Sequence, residues 1–303
     1  MSGLPGLEEI RAAAEVVYQN MPATPQYSWP LLNARAGAEV WVKHENHTPV
    51  GAFKIRGGLL YFERLREQRS EVTTVISATR GNHGQSLAFA ASRYGVRTVI
   101  VVPFGNSREK NAAMRALGAE LVEFGEDFQA ASEHAMQLER EHGWHRVKSF
   151  DMPLVEGVAT YALELEFLSA APEMDTVYVA IGMGSGIAGM IAARNALGLK
   201  TKVVGVTSSQ ARATVLSLEK GEVVESPVTT VIADGVACRK PDAAAEAAMR
   251  AYFSDTHNVA EGAGAIGLAA LLKDRPRGGA RVGTVLSGGN VDSDVFARVM
   301  REG

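Results

Sequence analysis

The chain has 303 residues, 46% of them hydrophobic and 21% charged, proportions that exclude a disordered or fibrous protein and leave room for one large domain or two modest ones. A formal net charge of −3 gives no electrostatic reason to expect nucleic acid or an anionic membrane as a partner. Cys238 is the only cysteine, which excludes an internal disulfide framework and a multi-cysteine metal site and fits a reducing cytoplasm.

The first stretch, MSGLPGLEEIRAAAEVV, lacks a basic segment followed by an apolar run, and no later stretch reaches the length of a membrane span. A soluble cytoplasmic protein is expected. In KHENHTPVGAFKIRGG, Lys43 to Gly58, Lys54 follows Gly51, Ala52 and Phe53 and sits among apolar neighbours. A lysine in a partly desolvated pocket loses its proton more readily and can hold an aldehyde cofactor as a Schiff base. Standing alone, it reads equally as a surface lysine at a helix start.

Short β-branched runs then alternate with helical patterns. Strands are expected at Thr74 to Ser77, Thr98 to Val102, Glu120 to Phe124, Thr176 to Ile181, Val203 to Thr207 and Val282 to Ser287. The intervening GNHGQSLAFAASRYG and REKNAAMRALGA are alanine-rich and close at or near glycine, as helices between parallel strands do. The pattern is α/β, and right-handed crossovers build open parallel sheets from it. The three runs from Thr74 to Phe124 form one unit and the strands after Thr176 another, which predicts two lobes with a cleft.

Three turns after these strands have the make-up of ligand sites. SATRGNHGQS, Ser77 to Ser86, opens a helix whose first amides attract an anion, with Gly81 allowing close approach and Asn82 and His83 offering polar groups. AIGMGSGIAGM, Ala180 to Met190, suits a phosphate cradle made of the amides of Gly182, Met183, Gly184, Ser185 and Gly186 with the Ser185 hydroxyl. It is a poor dinucleotide fingerprint, because Ile187 stands where the third glycine belongs and Thr207 to Gln210 supply no acidic residue. VLSGGNVDS, Val285 to Ser293, presents Ser287 at a strand's carboxyl end, the edge where open parallel sheets bind ligands. Each string also reads as a simple structural turn.

In this order, GAFKIRGG, GNHGQS, GMGSGIAG and LSGGN resemble the fold type II pyridoxal-phosphate enzymes, in particular the serine/threonine dehydratases and serine racemases. TVIADGVACRKP, Thr230 to Pro241, and AEGAGAIGLAALL, Ala260 to Leu272, look like the same group. The resemblance implies pyridoxal 5′-phosphate as cofactor, carried by Lys54, with Phe53 beside the ring, Asn82 on the ring hydroxyl and Ser287 facing the pyridine nitrogen. The Gly182 to Gly186 loop would hold the phosphate, and Gly235 would lie near the cofactor. Thr79, Arg80, Gly81 and His83 would line the site for an amino-acid substrate. It also implies a large domain from residues 1–50 and 150–303, a small inserted domain from 51–149, and a homodimer.

The activity implied is a dehydratase, or ammonia-lyase, that converts a 3-hydroxy amino acid to a 2-oxo acid and ammonia. A racemase or β-replacement synthase on the same scaffold, or a non-catalytic sugar- or nucleotide-binding module, are the competing readings. Departures from the family pattern carry further expectations. Ala52 stands where a serine commonly precedes the Phe-Lys pair. The cation-binding members carry a glutamate where this chain reads TSSQARA, so no metal site is expected. Racemases of the group carry a serine before Gly-Asn-His, whereas this chain has Arg80. The chain ends at Gly303, soon after LSGGNVD, and no regulatory domain of the biosynthetic threonine dehydratases is expected. Tyr27 and Trp29 read as core aromatics, or as contacts to the substrate side chain.

Overall fold

The computed structural model describes residues 3–166, 174–208, 213–222, 224, 230–233, 238–239 and 243–302. In chain order its elements begin with α1 (Leu7–Tyr18), β1 (Gln26–Ser28), α2 (Pro30–Ala36), β2 (Glu39–His44), a 3-10 turn at Glu45–His47 and α3 (Lys54–Gln68). They continue through β3 (Thr74–Ala78), α4 (Asn82–Ser92), β4 (Arg97–Val102), α5 (Arg108–Ala116), β5 (Glu120–Glu123), α6 (Phe128–His142) and β6 (His145–Arg146). Next come α7 (Met152–Glu166), β7 (Thr176–Ala180), α8 (Ser185–Ala196), β8 (Lys202–Val206) and α9 (Ala213–Lys220). The remainder is β9 (Thr230–Ala233), β10 (Cys238–Arg239), α10 (Ala243–Thr256), α11 (Gly262–Asp274), β11 (Arg281–Leu286) and α12 (Ser293–Arg301).

In β4 the run Thr98–Val102 is buried on both faces, as befits an inner strand of a parallel sheet covered by helices on each side. Its alternate residues serve two cores. Ile100 and Val102 pack with α3, α4 and Met114 of α5, while Val99 and Val101 pack with Ala131 and Ala135 of α6. The sheet order is β5-β4-β3-β6, parallel throughout. Complete burial of each such valine or isoleucine contributes about 1.5–3 kcal/mol.

The larger sheet, β1-β2-β11-β7-β8, is built in the same way. Val285 of β11 faces α1, α7 and α8, and Leu286 faces α2, α10 and α11. Both sheets are therefore three-layered, and the fold is that of the type II pyridoxal-phosphate enzymes expected from the motifs. Two pairings depart from the parallel expectation: β1 runs antiparallel to β2 at the edge of the larger sheet, and β9 and β10 form a separate antiparallel pair. The turn that reverses the chain between β1 and β2 closes α2 at Gly37, whose φ of 67° is left-handed.

All six expected strands are present, with ends that differ by a residue. Phe124 and Ile181 lie past the last strand positions, although their amides still bond Val102 and Val206. Five strands were not expected, β1, β2, β6, β9 and β10, and the longest of them is β2, parallel to β11 along its whole length. Its sequence, EVWVKH, hides the strand because Lys43 and His44 look like surface residues, yet both are buried. The aromatic expectation also needs correction. Tyr27 is half exposed on the edge strand and Trp29 only flanks the core, its indole donating to His44 Nε2 at 3.1 Å, and neither lines the cleft.

Candidate active site

Three turns at the carboxyl ends of β3, β7 and β11 open into one cleft: β7 and β11 share the carboxyl edge of the larger sheet, and β3 brings the carboxyl edge of the smaller sheet to it. Lys54 is the first residue of α3, entered from a tight turn in which Phe53 N–H donates to the Ser287 carbonyl at 3.0 Å. That bond and the Ala52–Gly288 bridge tie the lysine segment to the end of β11. Lys54 Nζ donates to Ser185 Oγ at 2.9 Å and lies 5.2 Å from the centre of the Phe53 ring. Burial pushes its pKa down to about 8, since the enclosed site solvates an ammonium poorly. The positive end of α3 acts in the same direction.

Opposite Lys54, the turn after β7 rises through Gly184, at φ 103°, into Ser185, the first residue of α8. The amides of the first turn of α8 have no intrahelical acceptor and carry the positive end of the helix dipole. Ser185 adds a buried hydroxyl. This donor set suits a phosphate dianion, and the amine that would hold the aldehyde stands beside it.

The third wall is β3 and the start of α4. Thr79, Arg80, Gly81, Asn82 and His83 all line the cleft. Thr79 Oγ1 accepts from Gly81 N–H at 3.1 Å, which shapes the turn. His83 is buried and its pKa is pushed down to about 3, by desolvation first and by the Lys54 charge second. A hydrogen bond to the Lys148 carbonyl leaves Nε2 without a partner, so the neutral ring presents a bare acceptor. Arg80 is half-buried in the same wall. The cleft therefore gathers Phe53, Lys54, the Gly182, Met183, Gly184, Ser185 and Gly186 loop and Ser287 with the β3–α4 group. Gly235 lies outside the described residues.

Sequence reasoning missed several groups in this wall. Glu261, at the start of α11, accepts from Asn82 Nδ2 at 2.5 Å and from Lys110 Nζ at 2.9 Å. Asn290 Nδ2 donates to Asn82 Oδ1 at 2.9 Å, so both ends of the Asn82 amide are fixed. The stretch AEGAGAIG had marked Glu261 by position only, and Lys110, within REKNAAMRALGA, carries no local sign of a site. Phe128 supplies an apolar side. Among the described residues, no group of three or more His, Cys, Asp or Glu side chains is placed to hold a metal ion, and no helix is long and apolar enough to cross a membrane.

The comparisons agree with this geometry. An L-threonine ammonia-lyase of Geobacter sulfurreducens is 35% identical over 293 residues, covering 90% of this chain and 72% of that protein. Among solved structures, the processed form of threonine deaminase isoform 2 from Solanum lycopersicum matches with a TM-score of 0.86 and 25% identity, covering 99% of this chain and 95% of its own. A pyridoxal 5′-phosphate-dependent aspartate racemase matches with a TM-score of 0.88 and 27% identity, covering 98% of this chain and 99% of its own. The family model described as "Pyridoxal-phosphate dependent enzyme" matches residues 17–288, the span that holds every residue of the cleft, and the chain thus belongs to the pyridoxal-phosphate-dependent enzymes.

Proposed function

We propose that this protein is a dehydratase, or ammonia-lyase, acting on a 3-hydroxy amino acid. The observation that carries the reading is the Lys54 amine, lowered in basicity by burial, standing 2.9 Å from Ser185 at the mouth of an anion-binding helix end. Relatives named for threonine ammonia-lyase activity at 35% and 29% identity support the reaction class.

In this reading Lys54 anchors the cofactor, the Gly182–Gly186 amides and Ser185 Oγ hold its phosphate, and Phe53 packs beside its ring. Asn82, oriented by Glu261 and Asn290, addresses the ring hydroxyl, and Ser287 faces the ring nitrogen. When bound, the cofactor supplies an electron sink for the charge that develops at the substrate Cα. Lys54 Nζ would serve as the general base that takes the substrate Cα proton. Ser287, a neutral hydroxyl in place of a carboxylate, would not stabilise a protonated ring nitrogen, which favours elimination over transamination. Thr79, Gly81 and His83 line the substrate's carboxylate site, and Arg80 is placed to pair with a carboxylate. A guanidinium has donors and no acceptor, so Arg80 is no second base for racemisation.

A large domain of 1–50 and 150–303 with a small domain of 51–149 is part of this reading, supported by the two separate sheets that both contribute to the cleft. A homodimer and a cytoplasmic location extend the same reading, the latter supported by the single cysteine. The test is incubation of purified protein with L- and D-3-hydroxy amino acids, scoring 2-oxo acid and ammonia. Release of both from an L-substrate is expected, and their absence across the panel would refute the assignment.

A further inference from the structure

Helix α7 lies between the helix that carries Lys54 and the helix that opens at Ser185. It meets both at close range. A Cβ on Gly157 would fall 2.3 Å from the Arg56 carbonyl of α3, and the α8 residue Gly189 would bring a Cβ within 2.9 Å of the Ala159 amide. Only glycine permits these approaches, so α7 has little freedom to slide against either neighbour.

Polar contacts then fix its register. Arg56, two residues after Lys54, is completely buried and reaches Glu164 at 2.8 Å and Thr160 at 3.0 Å, both on α7. Its other side holds Glu45 at 2.7 Å, and Lys43 pairs with Glu164. On the α8 side, Tyr161 donates its hydroxyl to the Gly186 carbonyl at 2.8 Å. The Tyr161 ring meets Phe53 edge-on, with centroids 6.1 Å apart at 89°. Burial raises the phenol's pKa, so it remains a donor.

We propose that Tyr161 is a positioning residue for cofactor binding, one that aims the phosphate loop at the cleft and sets its distance from Lys54. The trans peptide geometry explains how: with the Gly186 carbonyl held on the Tyr161 side, the Ile187 N–H points the opposite way, along the open end of α8. The same ring braces Phe53, the neighbour of Lys54. Tyr161 does not line the cleft and acts through the Gly186 carbonyl and the Phe53 ring. This inference rests on the cofactor reading above and assigns a role to a residue outside the glycine loops.

The test is Tyr161→Phe, which removes the hydroxyl and keeps the ring. Two measurements on the holoenzyme report on it: the rate of cofactor loss on dilution, followed by the protein-bound absorbance band, and the phosphorus NMR resonance of the bound phosphate. Cofactor loss about tenfold faster than in the wild type is expected, as for one lost buried hydrogen bond. A phosphorus resonance moved toward that of free pyridoxal phosphate is expected with it. A purely structural role would lower the melting temperature and leave the phosphorus resonance in place. Unchanged release together with an unchanged resonance overturns the inference and leaves the cofactor reading intact. Wild-type protein that takes up no pyridoxal phosphate overturns the reading on which the inference rests.

Discussion

Lys54 Nζ and Ser185 Oγ lie 2.9 Å apart although 131 residues separate them in the chain. The contact joins the first residue of one helix to the first residue of another, across the cleft between two sheets. In the proposed reading, the amine that would hold an aldehyde and the helix end that would hold a phosphate thus face the same small volume.

Removal of the amine alone separates anchoring from folding. Lys54→Ala should lose the protein-bound cofactor band and reduce turnover by on the order of a thousandfold or more, with the melting temperature of the cofactor-free protein nearly unchanged. Steady-state turnover close to wild type in this variant would refute the role of Lys54.

The depressed basicity of Lys54 predicts how cofactor uptake depends on pH. Only the free amine attacks an aldehyde, so the rate of uptake by cofactor-free protein should rise about tenfold per pH unit below about 8 and level off above it. At the ordinary lysine value of 10.5 the rise would continue for two further units. Stopped-flow absorbance across this range distinguishes the two curves.

Arg56 holds Glu45 and Glu164 in a site that excludes water. Arg56→Ala leaves both carboxylates buried beside one remaining cation, Lys43, and should destabilise the fold by about 3–5 kcal/mol. A urea denaturation midpoint that falls accordingly, with an unchanged slope, is the expected result. A midpoint equal to that of the wild type would show that water reaches the cluster.

Arg80 separates elimination from racemisation. An L-substrate in deuterated water should yield 2-oxo acid with little D-enantiomer, because Arg80 lines the cleft with a guanidinium, which supplies no proton acceptor for two-base racemisation. Chiral chromatography of the residual amino acid is the measurement, and D-enantiomer forming as fast as 2-oxo acid would contradict the proposal. Arg80→Ser is the variant in which racemisation should increase.

Chelation should leave turnover unchanged. β8 ends at Val206 and continues into Thr207 and a buried Ser208, and the sequence TSSQARA from Thr207 carries no carboxylate to bind a divalent cation. A loss of activity in chelator that magnesium or calcium restores would place the ligands elsewhere.

Much of the site was legible because its requirements are local. A phosphate cradle needs free amides at a helix start and glycine where φ turns positive, and GMGSGIAG states both within a few residues. GNHGQS and LSGGN follow recognisable strands, so each could be placed at the carboxyl edge of its own sheet, while the meeting of the two edges came only with the fold. Strands such as TVIVV announced themselves through continuous β-branched burial. β2 was hidden for the opposite reason, since the neutralising partner of Lys43 is Glu164, 121 residues away.

By itself, then, the sequence determined the α/β class, the order of the glycine-rich turns and the lysine proposed as the anchor, all of which depend on backbone demands that neighbouring residues satisfy. Only the tertiary structure decided that Glu261 and Asn290 orient Asn82, that His83 is neutral with a bare Nε2, that Arg80 faces the cleft, and that Tyr161 grips the phosphate loop. Desolvation and hydrogen-bond geometry act through space and fall steeply over a few ångströms, so they are set by elements that meet only when the chain has folded.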